Sequence, residues 1–106
     1  MTRKILQVNF KLTGSRDDIV EARRIMSSGA NEIAAVPGLC WKIWMLNSTE
    51  REAGGVYLFE NGEFLNAYFD GPIISALKKL SGLSDFSFKS FDISEENSRI
   101  TRAPIS

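Results

Sequence analysis

From Lys4 to Leu12 the chain alternates with period two. Leu6, Val8, Phe10 and Leu12 fall on one side, Gln7, Asn9 and Lys11 on the other. This is the pattern of a strand with one face on a core and the other turned away from it. Gly14-Ser15 ends the strand, and Ser15 with Asp18 matches a capping box that opens a helix. Ile19, Ala22, Met26, Ala30 and Ile33 then recur at three- and four-residue steps, an apolar stripe on a helix running to Ala35. Glu21, Arg23, Arg24 and Glu32 lie largely off the stripe and read as a solvated face. Pro37-Gly38 stops the helix.

Two strands follow, Leu39 to Leu46 and Ala53 to Phe59, joined by a polar loop that fits an antiparallel hairpin. Gly54-Gly55 inside the second marks either a bulge or a close approach by another backbone or a ligand. After Asn61-Gly62 the spacing is helical again, with Phe64, Leu65, Tyr68 and Phe69. Asp70-Gly71-Pro72 interrupts it. Proline suits a first helical turn, so a restart is expected with Ile73, Ile74, Leu77 and Leu80 facing inward. Gly82 ends that helix and Phe86 to Ile93 is the last strand. The order β-α-β-β-α-β predicts an α+β, ferredoxin-like fold over residues 1–94: a four-stranded antiparallel sheet with both helices on one face and spatial strand order 4-1-3-2. Residues 95–106 form a polar C-terminal tail anchored by Ile100 and Ile105.

Two helices cover only one face of such a sheet. In the first strand the apolar series goes under them. In the second, Leu39, Trp41, Ile43 and Met45 alternate with Cys40, Lys42, Trp44 and Leu46. In the third, Val56 and Leu58 alternate with Gly55, Tyr57 and Phe59. A lysine amine is costly to bury beneath a helix. Lys42, Trp44, Tyr57 and Phe59 are therefore expected on the open face, and Trp41, Ile43, Val56 and Leu58 in the helix-side core. Three aromatics in water would make a patch of several hundred Å², which monomers seldom tolerate. A second copy of the sheet is the simplest cover, giving a two-fold homodimer with a small-molecule pocket between the two sheets. An aromatic dimer core without a ligand is the alternative.

Composition narrows the chemistry. Thirteen basic and thirteen acidic residues cancel, so no global field draws the chain to nucleic acid or an anionic membrane. Polar residues interrupt every apolar run, and MTRKILQVNF lacks a long apolar segment, so a cytoplasmic protein with no membrane partner is expected. The single cysteine, Cys40, sits in an apolar run with no basic neighbour and reads as a small buried hydrophobe. There is no histidine, which removes the commonest general base and the commonest metal and haem ligand. No Asp, Glu and Cys cluster replaces it. Neither a protein-held transition metal nor haem is expected.

PGLCWKIW followed by EAGGVYLFEN resembles the YdhR-type mono-oxygenase family of the dimeric α/β-barrel superfamily. LQVNF, AYFDGPII, KSFDI and SRITRAPI extend the resemblance along the whole chain. It implies the ferredoxin-like dimer and cofactor-independent oxygenation of a small phenolic or polyketide-like substrate by O2. Some members carry a histidine near the position of Gly71-Pro72, and this chain does not. In that setting Trp44 and Phe59 are expected to clamp the substrate ring, with Trp41 as a further contact that also suits the core. Lys42 would favour the phenolate, a cation shifting an acid toward its charged form. Asn9 and Tyr57 would hydrogen-bond the substrate oxygens. Lys42 paired at the rim with Glu50 or Glu52, and Lys89 with Asp92, are simpler readings of those charges. A non-catalytic dimeric binding protein for a hydrophobic metabolite is the rival function, and a purely structural partner a third.

Overall fold

The period-two run of the first strand forms as expected: β1 (Lys4–Leu12) buries Leu6, Val8, Phe10 and Leu12 and leaves the alternate residues half-exposed. The computed structural model describes residues 2–105, with the side chains of Asp18, Ala22 and Ile25 outside the described set. The Ser15–Asp18 capping box and the Ala22 member of the apolar stripe therefore fall outside the described residues. After β1 come α1 (Arg16–Ser28), α2 (Ala30–Ala34), β2 (Leu39–Asn47), β3 (Glu52–Phe59), α3 (Gly62–Phe69), α4 (Pro72–Leu77), β4 (Leu83–Asp92) and α5 (Glu95–Ile100). The strands form one antiparallel sheet in the order β2-β3-β1-β4, the expected order read from the opposite edge. This is the ferredoxin-like α+β fold. Among the described residues no helix is long and apolar enough to cross a membrane.

Local chemistry explains most of the boundaries. Asn61 caps α3, its side-chain oxygen accepting the Phe64 N–H at 3.0 Å. Pro72 opens α4 at its first turn, where its missing N–H has no helical partner to lose. The first helix is not continuous: it breaks at Gly29, a poor helix former after Ser27-Ser28. The last strand begins at Leu83, earlier than its aromatic alternation suggests. The tail is not plain coil, because α5 occupies its first half. Of its two expected anchors Ile100 is 71% exposed, while Ile105 is 4% exposed. Arg3 donates to the Ile105 carbonyl and the Trp41 indole N–H donates to the Pro104 carbonyl at 2.8 Å, so the tail end is tied to the face away from the main helices.

The two faces of β2 and β3 are the reverse of the expectation. In an antiparallel pair, residues directly opposite share a face. Leu6 pairs with Tyr57, Val8 with Gly55 and Phe10 with Ala53, so these β3 residues join the helix-side core. Lys42 pairs with Tyr57 and Trp44 with Gly55, so they follow. Trp41, Ile43, Val56 and Leu58, with Gln7 and Asn9, take the opposite face. Tyr57 is 2% exposed and Phe59 0%. The reason is area: burying two rings between sheet and helices removes more apolar surface from water than burying Val56 and Leu58 there.

Two smaller expectations also change. Pairing runs without a register shift through Gly54 and Gly55, and the β2 bulge lies instead between Leu39 and Trp41. Cys40 is the extra residue of that bulge and is exposed rather than buried. Partial desolvation pushes its thiol upward, with Arg3 opposing and Glu60 adding to the shift, so it is not an activated thiolate. The charge pairs differ as well: Glu52 takes Lys11 at 3.1 Å and Asp92 takes Lys4.

Candidate functional site

Three of the expected site residues meet beneath the helices. Lys42, Trp44 and Tyr57 line a cavity of about 350 Å³ between the sheet and the helical layer. Val8, Phe10 and the two glycines of β3 complete its floor, and Met26, Ile33, Tyr68, Ile73 and Leu77 form its roof. Glycine makes much of this room. Gly29, at the break between α1 and α2, lines the roof, and Gly55 lies directly under the Lys42 side chain. A Cβ at Gly55 would stand 2.6 Å from the Lys42 Cε. The glycine in the strand is thus explained by close approach.

The Lys42 ammonium lies 3.4 Å from the Trp44 ring centroid and 4.5 Å from that of Tyr57. The ring faces supply the attraction that makes burial of this amine tolerable. Among the described residues no carboxylate lies within ion-pair distance of it. Burial therefore acts on the amine without a compensating anion, and pushes it down from the ordinary lysine range to about 7. A base of that strength in an aromatic-walled cavity is what the amino-acid composition had not revealed.

Tyr57 and Tyr68 form the second feature. Their rings are 5.1 Å apart and the Tyr68 hydroxyl donates to the Tyr57 hydroxyl at 2.9 Å. Burial raises both phenols. Tyr57 is pushed well above its usual range, with the neighbouring Tyr68 adding to the shift, while the hydrogen bond to Tyr57 opposes the rise at Tyr68. Both stay protonated at neutral pH and serve as a fixed pair of neutral hydroxyls rather than as bases. Glu32, read from sequence as part of a solvated face, also lines the cavity, the other ionisable group besides Lys42 and the tyrosines to do so among the described residues. A second hollow of about 410 Å³ lies across Trp44, shares Met26 and Gly54 with the first, and has Arg23 at its edge.

The remaining expected residues lie elsewhere. Phe59 does not line the cavity. It stacks behind Tyr57 at 6.0 Å and packs on Tyr68 at 5.5 Å, a support for those rings. Asn9 and Trp41 are on the opposite face of the sheet and contribute nothing to the cavity. Tyr68 was legible only as one member of an apolar helical stripe; its hydroxyl partner lies eleven positions away on another element.

The fold recurs among solved structures. A protein of unknown function from Nitrosomonas europaea, NE2512, superposes with a TM-score of 0.70 at 18% identity, covering 89% of this chain and 91% of that one. SnoaB, a cofactor-independent oxygenase from Streptomyces nogalater, gives 0.67 at 12% identity over 86% and 92%. The heme-degrader MhuD from Mycobacterium tuberculosis, with two hemes bound in its active site, gives 0.62 at 17% over 85% and 95%. At these identities the likeness is one of fold. No curated protein matches the chain significantly. Residues 5–104 match the family described as "Putative mono-oxygenase ydhR", and over nearly its whole length the chain belongs to that family.

Proposed function

We propose that this protein is a cofactor-independent oxygenase of a small acidic phenol or enol, bound in the cavity beneath the helices with Lys42 as its base. The observation that carries this reading is the Lys42 amine, lowered to about 7 and facing an aromatic-walled cavity with no carboxylate partner among the described residues. Membership of a mono-oxygenase family and a fold shared with SnoaB support it. Trp44 supplies a ring face for the substrate, and the apolar roof excludes water.

The chemistry then asks for one proton acceptor. The neutral amine takes the acidic proton, and the ammonium formed stabilises the adjacent phenolate or enolate. The electron-rich anion passes one electron to O2. Recombination forms the C–O bond, and the ammonium returns its proton to the peroxide. Loss of water leaves a carbonyl, so a ring methylene and O2 become a ketone and water. The test is to incubate the pure protein with a panel of hydroxyanthrone-type phenols in air-saturated buffer. Quinone absorbance and oxygen uptake should exceed those of buffer alone. Quenching of Trp44 fluorescence without turnover across the panel would instead support a binding protein.

The same reading includes a homodimer built on the open face. Ile43 is 54% and Phe91 45% exposed there, beside Trp41 and Val56. Such a patch favours cover by its own copy. Sedimentation should give a dimer, and Ile43→Lys a monomer. The cavity lies within one chain, so the variant should still bind a phenol; a wild-type monomer would overturn the dimer and leave the site untouched.

A further inference from the structure

We propose that Lys42 is also a carbonyl-capturing nucleophile, condensing with an aldehyde or methyl ketone on an apolar, aromatic body to form a covalent Schiff base. The argument rests on placement. The amine is threaded over Gly55, where any side chain would displace it, and Lys42 lines the cavity. Among the described residues no carboxylate holds it as a salt bridge, and two ring faces lie against it. Those faces stabilise a cation at the nitrogen whatever its substituents, so they serve an iminium as well as an ammonium. The apolar lining favours release of the water that the condensation forms. A large neutral fraction at pH 7 agrees with this, since only the free amine attacks a carbonyl.

The step balances without an oxidant. The nitrogen lone pair adds to the carbonyl carbon, giving a carbinolamine. Both amine protons and the former carbonyl oxygen leave as water, and a C=N bond replaces C=O. Protonation of the imine places the positive charge between Trp44 and Tyr57. The proposal shares Lys42 with the oxygenase reading but needs no oxygen, so the two can fail separately.

The other five lysines provide the internal comparison. Lys4 and Lys11 are paired with Asp92 and Glu52, and Lys78, Lys79 and Lys89 are exposed. The wild-type protein is incubated with naphthaldehyde and cyanoborohydride without oxygen, and the reduced adduct is located by peptide mass mapping. Lys42 should be labelled at least about 10-fold faster than any other lysine at pH 7, because burial lowers its amine to about 7 and leaves a large share of it neutral there. The rate at Lys42 should level off above about pH 7. Lys42→Arg should abolish the fast phase and leave the slow labelling unchanged. Labelling spread evenly over the six lysines, or a Lys42 slower than its exposed neighbours, would overturn the proposal. Failure here with phenol turnover intact leaves the oxygenase reading standing; success without turnover leaves this one.

Discussion

Replacing Lys42 with methionine should lower turnover of a hydroxyanthrone-type phenol by about 100-fold or more, the usual worth of a positioned general base. Lys42→Arg should fall nearly as far: it keeps a cation, but guanidinium does not give up its proton in this range. In the wild type the rate should rise with pH and level off above about 7, following the neutral amine. In the methionine variant the remaining pH dependence should be that of the substrate phenol alone. Stability offers a second readout. The amine titrates near 7 when folded and near 10.5 when unfolded, so between those values the unfolded chain binds the extra proton. Wild-type stability should therefore gain as pH rises from 7 toward 10, the burial cost being fully present below 7. Urea denaturation should show that gain in the wild type and lose it in Lys42→Met. Unchanged turnover in the methionine variant, or an unchanged pH profile, would remove Lys42 from the chemistry.

This residue also shows where sequence reasoning ends. The phase of β1 was legible because its two faces differ: four apolar residues against Gln7, Asn9 and Lys11. β2 and β3 carry large apolar residues on both faces, so period two fixes the alternation and not its direction. The one polar marker, Lys42, pointed the wrong way. Its burial cost is real, but Trp44, Tyr57 and the space over Gly55 offset it, and none of these can be weighed before the strands are in register. Pairing of Leu6 with Tyr57 decides the matter, and that is a contact between residues 51 positions apart. Strand order was legible, by contrast, because crossover handedness leaves few choices. Lys42, Trp44 and Tyr57, expected together from the sequence, do come together along one cavity. Asn9 and Trp41 lie apart from them because a one-face error moves whole sets of side chains together, while Phe59 moves with the set but ends behind Tyr57.

The adjacent glycines of β3 give the other large expected effect, and they separate fold from function. A Cβ at Gly54 would lie 1.8 Å from the Val8 carbonyl oxygen and 3.0 Å from the Asn9 Cα. Both are backbone atoms of the central ladder, and neither can move without parting β1 from β3. Gly54→Ala should therefore cost about 3 kcal/mol, the upper range of overpacking, and lower Tm by more than about 10 °C in a domain of this size. At Gly55 the nearest atom is the Lys42 Cε at 2.6 Å, near the far end of a flexible chain, with the Ile43 carbonyl oxygen next at 3.3 Å. Gly55→Ala should cost only about 1 kcal/mol, because the lysine can swing aside. Once off the Trp44 face and closer to water, its amine should return toward the ordinary lysine range, and the pH profile should move up with it. Turnover at pH 7 should then fall about 10-fold or more as the neutral fraction drops. Calorimetry and the pH–rate curve on the two variants test this contrast. Equal losses of stability would mean that both glycines serve the sheet alone. A Gly55→Ala protein with the wild-type profile would mean that Lys42 does not need the space beneath it.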